Sequence, residues 1–172
     1  MSTSIVLTVI ADDEPGVIHT VSEVLHKHGG SWSQSSMSSL AGQFAGILLA
    51  SVPGNKSQAC LDELHGLDSK GLHVIAQLSG EVPEVGEVRE YTLDLVGNDH
   101  PGIVNDITTL LANHKVNVRN LETLVESASM GGGELFRASA QLVLPASVDI
   151  DTLESEIEDL ANDLMVDISF EH

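Results

Sequence analysis

The sequence has a single cysteine and few aromatic residues. One cysteine excludes a disulfide framework and a metal site built from thiolates. Cys60 lies in a predicted helix and is most simply a small core residue. Only 3% of the 172 residues are aromatic, whereas 42% are hydrophobic. The core is therefore expected to be aliphatic, and the chain is too apolar to be disordered.

Basic residues are also scarce. Seven Lys and Arg stand against 26 Asp and Glu, which gives a formal net charge of −19. Residues 1–86 hold 9 acidic and 3 basic residues, and residues 87–172 hold 17 and 4. Because there is no basic cluster, a polyanion would be repelled, and we expect no direct nucleic-acid binding. The acidity has two interpretations: solubility, with adaptation to salt, or an acidic face for a basic protein partner.

Long apolar runs are missing as well. No segment reaches the length that a membrane-spanning helix needs, and no basic segment precedes an apolar one at the N-terminus. The sequence therefore predicts a soluble, cytoplasmic protein with no membrane partner.

One motif is present twice. Residues 12–18 read Asp-Asp-Glu-Pro-Gly-Val-Ile, and residues 98–104, about 86 positions later, read Asn-Asp-His-Pro-Gly-Ile-Val. Each copy follows an alternating apolar run and precedes apolar residues at helical spacing, so each marks a strand-to-helix turn. We expect the proline at the first helical position. We expect the glycine to let a ligand approach the backbone closely.

The elements around the two motifs follow the same order. The first half predicts strand, helix, strand, strand, helix and strand at residues 5–10, 17–28, 31–40, 44–52, 59–70 and 72–78. The second half repeats this order at residues 91–95, 103–111, 117–127, 135–144, 153–164 and 166–170. Apolar residues at both alternating sets of positions in the first strand predict that it is buried on both faces.

Each half is thus a βαββαβ unit. This order predicts an α+β protein made of two tandem ferredoxin-like domains, each an antiparallel four-stranded sheet with two helices on one face. We expect domains at residues 1–80 and 89–172, joined by an acidic linker at 81–88. The Met130-Gly131-Gly132-Gly133 segment of the second half is expected to be a flexible hairpin, with contact to a partner as the alternative.

The sequence lacks the residues that several functions of this fold class require. An RNA-binding sheet requires exposed aromatic residues and a basic surface, but few aromatic residues, among them Phe44 and Phe136, lie on the central strands. Neither turn carries an arginine that could hold phosphate. No nucleophile–base arrangement or phosphate loop is evident, so we expect no enzyme activity, no cofactor and no metal.

The strand, the Asp-x-Pro-Gly-(Ile/Val) turn and the amphipathic helix, set in a βαββαβ frame, resemble the ACT domain. Two such copies with an acidic linker resemble the glycine cleavage system transcriptional repressor family. The resemblance implies a regulatory protein that senses a small amino acid and controls a protein partner, such as a transcription factor. It also implies modules packed side by side in a homo-oligomer, with the ligand at their interface.

By this resemblance the ligand contacts the first loop, the start of the first helix and the start of the second strand. The candidates in the second half are Asn98, Asp99, His100, Pro101, Gly102, Ile103, Val104 and Asn117. The candidates in the first half are Asp12, Asp13, Pro15, Gly16, Val17 and Ser31. The positive end of a helix dipole suits a carboxylate, and the aspartates suit an ammonium group. The second half is the first place to seek ligand, because it has asparagine where the first has Ser31.

Each candidate also has a structural interpretation. Asp13 and Asp99 can cap their helices, the Pro-Gly pairs can serve the turn alone, and Asn117 can satisfy an exposed sheet edge. Solvated or half-buried structural roles are expected for six histidines: His19, His26, His28, His65, His73 and His114. The whole chain likewise has an alternative function, that of a ligand-independent module for protein–protein interaction or dimerisation.

Overall fold

The structure is a computed structural model that describes residues 1–80, 86–129 and 131–172. These residues fall into two compact units, Met1–Pro83 and Glu84–His172, which we call unit 1 and unit 2. Residues 81–85 of the predicted linker and Met130 of the predicted hairpin lie outside the described residues. Among the described residues, no helix combines the length and the apolar character needed to cross a membrane.

Unit 1 is built from four strands and two α-helices in its described residues. They are β1 (Ser2–Asp12), α1 (Val17–Lys27), β2 (Ser31–Leu40), β3 (Gln43–Pro53), α2 (Ser57–His65) and β4 (His73–Leu78). The strands form one antiparallel sheet in the order β2-β3-β1-β4. A short 3-10 helix, Gly66–Lys70, follows α2, whereas the sequence predicts one continuous helix to this point.

Unit 2 repeats this plan. Its elements are β5 (Val88–Asn98), α3 (Ile103–Asn113), β6 (Asn117–Ser127), β7 (Glu134–Pro145), α4 (Ile150–Leu164) and β8 (Val166–Glu171). The sheet order is β6-β7-β5-β8, and every pairing is antiparallel. Both units are therefore ferredoxin-like α+β folds, as the sequence predicts. Val88, predicted to end the linker, already belongs to β5.

Each unit has its core between the sheet and the helices. In unit 1, Ile5, Leu7 and Val9 are at most 1% exposed and belong to the same cluster as Val21 and Leu25 of α1. Cys60 of α2 is in this cluster too, so its predicted core position is confirmed. Burial raises the pKa of its thiol, and the charge of Glu63 adds to this effect.

The prediction that β1 is buried on both faces is wrong within the chain. Side chains alternate between the two faces of a strand, and the helices cover only one face of the sheet. On the other face Val6 is half-buried and Ile10 is 52% exposed. The pattern indicates correctly that both faces of β1 are apolar, but the helices of this fold cover only one of them.

Candidate functional site

The repeated turn enters its helix through a glycine. Gly16 and Gly102 are the N-cap residues of α1 and α3, with φ angles of 101° and 102°. The carbonyl oxygen of Gly16 accepts the first helical hydrogen bond, from the backbone N–H of Thr20 at 2.9 Å. The prolines precede these caps, so the prediction that they occupy the first helical position is wrong. The reason is that a positive φ at glycine turns the chain just before the helix begins.

The aspartates of the turn do not cap the helices. Neither N-cap has a side-chain hydrogen bond, so the capping interpretation of Asp13 and Asp99 is wrong. Their backbone N–H groups instead donate to Gly42 and Glu134 carbonyl oxygens at 3.0 and 2.9 Å, which ties each turn to its sheet. The Asp13 carboxylate accepts a hydrogen bond from the Ser39 hydroxyl at 2.5 Å. Within the described residues, the Asp99 carboxylate has no such partner.

A surface pocket of about 230 Å³ adjoins the turn of unit 1. Asp12, Glu14 and Gly16 line it from the turn, and Lys70 and Gly71 line it from the opposite side. The space above Gly16 is open, because no atom lies within 4 Å of the place where a Cβ would stand. The helix terminus and Lys70 make one part of this pocket positive, and the carboxylate of Glu14 makes another part negative, whereas the carboxylate of Asp12 accepts a hydrogen bond from Gln43.

Lys70 is a residue that the sequence analysis missed as a site candidate. It marks the end of the 3-10 helix, and β4 begins shortly after it. Because β4 is antiparallel to β1, its start lies beside the end of β1, where Ile10 pairs with His73. The predicted βαββαβ order would have placed the segment before the last strand next to the first turn.

The corresponding turn of unit 2 is arranged differently. The His100 ring spans from the turn to the end of α4, with Nε2 3.3 Å from the carbonyl oxygen of Leu164. Its Nδ1 lies 3.2 Å from the Pro101 carbonyl oxygen. Asp106 stands in the first turn of α3 and makes the helix terminus less positive, whereas α1 has Thr20 at this position. A carboxylate ligand is therefore better accommodated at the turn of unit 1.

The predicted strand-start residues lie far from the turns. Asn117 pairs with Val143, which in turn pairs with Glu90 near the start of β5. The turn begins at Asn98, eight residues further along β5, which corresponds to about 27 Å. Ser31 lies at the same end of its own sheet. Within one unit, then, the structure does not bring these residues to the turn, because the helix returns the chain to the opposite end of the sheet.

Two further candidates face the core. Val17 and Ile103 are only 8% and 2% exposed and pack among the buried residues of their units. Their backbone N–H groups at the helix terminus remain available in principle, since the first N–H groups of a helix have no intrahelical acceptor. Val104 is 39% exposed and stands at the surface next to the turn.

Two of the histidines connect the helices of their units. His28 Nε2 lies 2.8 Å from Glu63 on α2, and His114 Nε2 lies 2.8 Å from Glu156 on α4. Both histidines are more than half-buried, so their predicted structural roles agree with this arrangement. Over the described ranges, no group of three or more His, Cys, Asp and Glu residues could hold a metal ion.

Comparisons with known proteins relate this fold to a family. Residues 3–77 match the model of the ACT domain. A protein of unknown function from Galdieria sulphuraria has a similar solved structure, with 27% identity, a TM-score of 0.87, and coverage of 99% of this chain and 98% of that one. A second structure, assigned provisionally as a glycine cleavage system transcriptional repressor, has the same fold at 16% identity. Its TM-score is 0.67, and 99% and 97% of the two chains are covered. No curated protein sequence matches the chain significantly.

Proposed function

We propose that the chain is a cytoplasmic regulator that senses a small amino acid. This proposal is supported by the match of residues 3–77 to the model of the ACT domain and by the second half of the chain, which repeats the same fold. ACT domains are regulatory modules that bind small ligands, which indicates a regulatory rather than a catalytic role. The partner in this proposal is a transcription factor of amino-acid metabolism, with glycine metabolism as the first candidate. The acidic chain would act on this factor without touching DNA.

The observation that supports ligand binding best is the pocket at the turn of unit 1. A free amino acid carries a carboxylate and an ammonium group, and the pocket offers a counterpart for each. The carboxylate would face the N-terminus of α1 and Lys70, and the ammonium group would face Glu14. A volume of about 230 Å³ is sufficient for a small amino acid.

The second turn is proposed as a weaker or differently used site. Asn98, Asp99 and Gly102 offer similar backbone and side-chain groups, but His100 is engaged by the end of α4. The strand starts, at Asn117 and Ser31, could contact such a ligand only if they came from a further module. Ligand binding would then favour one arrangement of modules over another, and this coupling would pass the signal to the partner.

The test is a thermal-shift screen of the full chain against the twenty amino acids at millimolar concentration. A ligand that binds only the native state must raise the melting temperature. We expect a small amino acid to do so, and we expect Lys70→Met to weaken its binding about tenfold, since a charge-assisted hydrogen bond is lost. Lys56→Met is the matched control, because Lys56 belongs to the same unit but does not line the pocket.

The proposal is wrong if no amino acid raises the melting temperature and if Asp99→Ala leaves partner binding intact. The alternative would then hold, namely a ligand-independent interaction module. A specific feature favours that alternative, since the sheet of unit 1 exposes apolar side chains on the face without helices.

A further inference from the structure

The face of the unit 1 sheet that carries no helices, called the open face here, is apolar. Alternation along β1, β3 and β4 places six apolar side chains on it: Val6, Ile10, Ala45, Ile47, Leu49 and Ile75. The edge strand β2 adds mostly polar side chains to this face: Gln34, Ser36, Ser38 and Leu40. The six apolar side chains form one patch, because Thr8 at its centre pairs with Ile47 on one side and with Ile75 on the other. Ile47 and Ile75 are 51% and 72% exposed. A contiguous apolar patch on a protein surface usually marks an interaction site.

The open face is nearly free of charge, although the chain carries a net charge of −19. Among the described residues, the open face carries the carboxylate of Asp12 at one end. This carboxylate accepts a hydrogen bond from Gln43 at 2.7 Å. His73, at the same end of β4, is paired with Asp68. Two copies of this chain would repel each other over most of their surfaces, but they can meet at this face without bringing carboxylates together.

Unit 2 provides an internal comparison, because its open face is polar. Ser139, Gln141 and Ser169 occupy the positions that correspond to Ile47, Leu49 and Ile75 in the register of the sheets. Six carboxylates also lie on this face: Glu90, Asp94, Glu122, Glu126, Asp167 and Glu171. Arg119 and Arg137 are bonded to two of them. The same fold therefore does not require an apolar open face.

We propose that the open face of unit 1 packs against the same face of a second copy of this chain, across a two-fold axis that passes close to Thr8. A patch of this kind is complementary to itself, as an isologous interface requires. Sheets pack face to face about 10 Å apart, with their strands about 30° from parallel. Burial in the dimer also explains why β1 is apolar at both alternating sets of positions, a pattern typical of strands covered on both faces.

The size of the face is sufficient for a stable dimer. Four strands about 4.8 Å apart, with residues about 3.4 Å apart along each strand, give a face of about 600 Å² per copy, in which the apolar patch is flanked by the polar side chains of β2. Two copies would bury about 1,200 Å² in total, which reaches the lower end of the range for stable interfaces. The proposal does not depend on an amino-acid ligand.

The experiment measures the mass of the full chain in solution by light scattering during gel filtration. We expect the wild type to be a dimer and the double variant Ile47→Lys, Ile75→Lys to be a monomer. The dissociation constant of the variant dimer should be at least about a hundredfold larger, because two lysines on each copy would be buried in the interface. Lysine is the stringent choice, because it lowers the net negative charge that opposes association. Both side chains are exposed within the chain, so circular dichroism should show unchanged folding.

The matched control is the double variant Ser139→Lys, Ser169→Lys, which makes equivalent changes on unit 2 and should remain dimeric. A monomeric wild type at about 100 µM, the regime of weak association, overturns the proposal, even if another protein covers the face. A dimer that survives the unit 1 substitutions overturns it as well, because the interface then lies elsewhere. Equal dissociation of the control variant would also contradict it.

Discussion

At the scale of single residues, the conformation of the backbone explains why both turns contain glycine. Gly16 and Gly102 adopt positive φ angles that side chains with a Cβ rarely tolerate, and both accept the first hydrogen bond of their helix. The space above Gly16 is open nevertheless, so the same residue serves the turn and leaves the backbone accessible. The structural and the ligand-binding interpretations of the motif are therefore compatible.

Gly16→Ala and Gly102→Ala should each lower the free energy of unfolding by about 1–3 kcal/mol, since alanine would be strained at these angles. Urea unfolding followed by circular dichroism measures this change. Gly66→Ala is the control, because Gly66 has a φ of −66° and open space around it. The control should lose no more than a few tenths of a kcal/mol and should even gain stability if alanine restricts the unfolded chain. Equal losses at positions 16 and 66 would refute the strain argument.

At the scale of elements, the two helices of each unit are connected by a histidine–glutamate contact. In unit 1 the connection is stronger, because Lys27 Nζ also lies 2.8 Å from Glu63. The hydrogen bond from Lys27, followed by that of His28, holds the pKa of Glu63 below its ordinary value. The charged form of Glu63 is thus favoured in the folded state.

Glu63→Gln should lower the melting temperature at pH 7 and should have a smaller effect at pH 3. A pKa that is depressed in the folded state contributes stability above the unfolded value of about 4.3, and this contribution is lost as the pH falls through the folded value. Thermal unfolding at a series of pH values measures the difference between variant and wild type. Glu23→Gln is a suitable control, because Glu23 is 67% exposed and lies 3.7 Å from His19. A difference that persists undiminished at pH 3 would contradict this account.

At the scale of the whole molecule, the repeats share a fold but differ in charge. Residues 87–172 contain 17 acidic and 4 basic residues, whereas residues 1–86 contain 9 and 3. The open faces show the same contrast, since one is apolar and the other carries six carboxylates. One repeat thus has the surface of an interface, and the other has that of a solvated or partner-binding face.

Salt should stabilise the chain at neutral pH, because it screens the repulsion among carboxylates. We expect about 1 kcal/mol, or about 5 °C in melting temperature, between low salt and about 0.5 M sodium chloride. Scanning calorimetry measures this shift. At a pH near the sequence pI of about 4.4 the net charge is small, so the shift should largely disappear. An equal shift in melting temperature at both pH values would show that salt acts through an effect other than the screening of charge repulsion.

The amino-acid sequence determined the folds of the two units, because the relevant signals are local and are repeated. The apolar residues of α1 recur in α3 at the same spacing, and β2 and β6 begin and end as the sequence predicts. Val88 and the 3-10 helix after α2 show the limit of this prediction, since the ends of helices and strands depend on pairing and packing rather than on the sequence pattern alone. The turn motif was likewise found from the sequence, but its proline was placed at the first helical position, two positions too far into the helix.

Only the tertiary structure decided which residues meet at the turns and which faces stay uncovered. Lys70 reaches the turn of unit 1 through the antiparallel pairing of β4 with β1, and His100 is engaged by the end of α4 in unit 2. The same pairings place Asn117 at the far end of its sheet. These relations join residues distant along the chain, so local periodicity does not contain them. Burial on the second face of β1 depends on what lies against it, and the sequence pattern records only that this face is apolar.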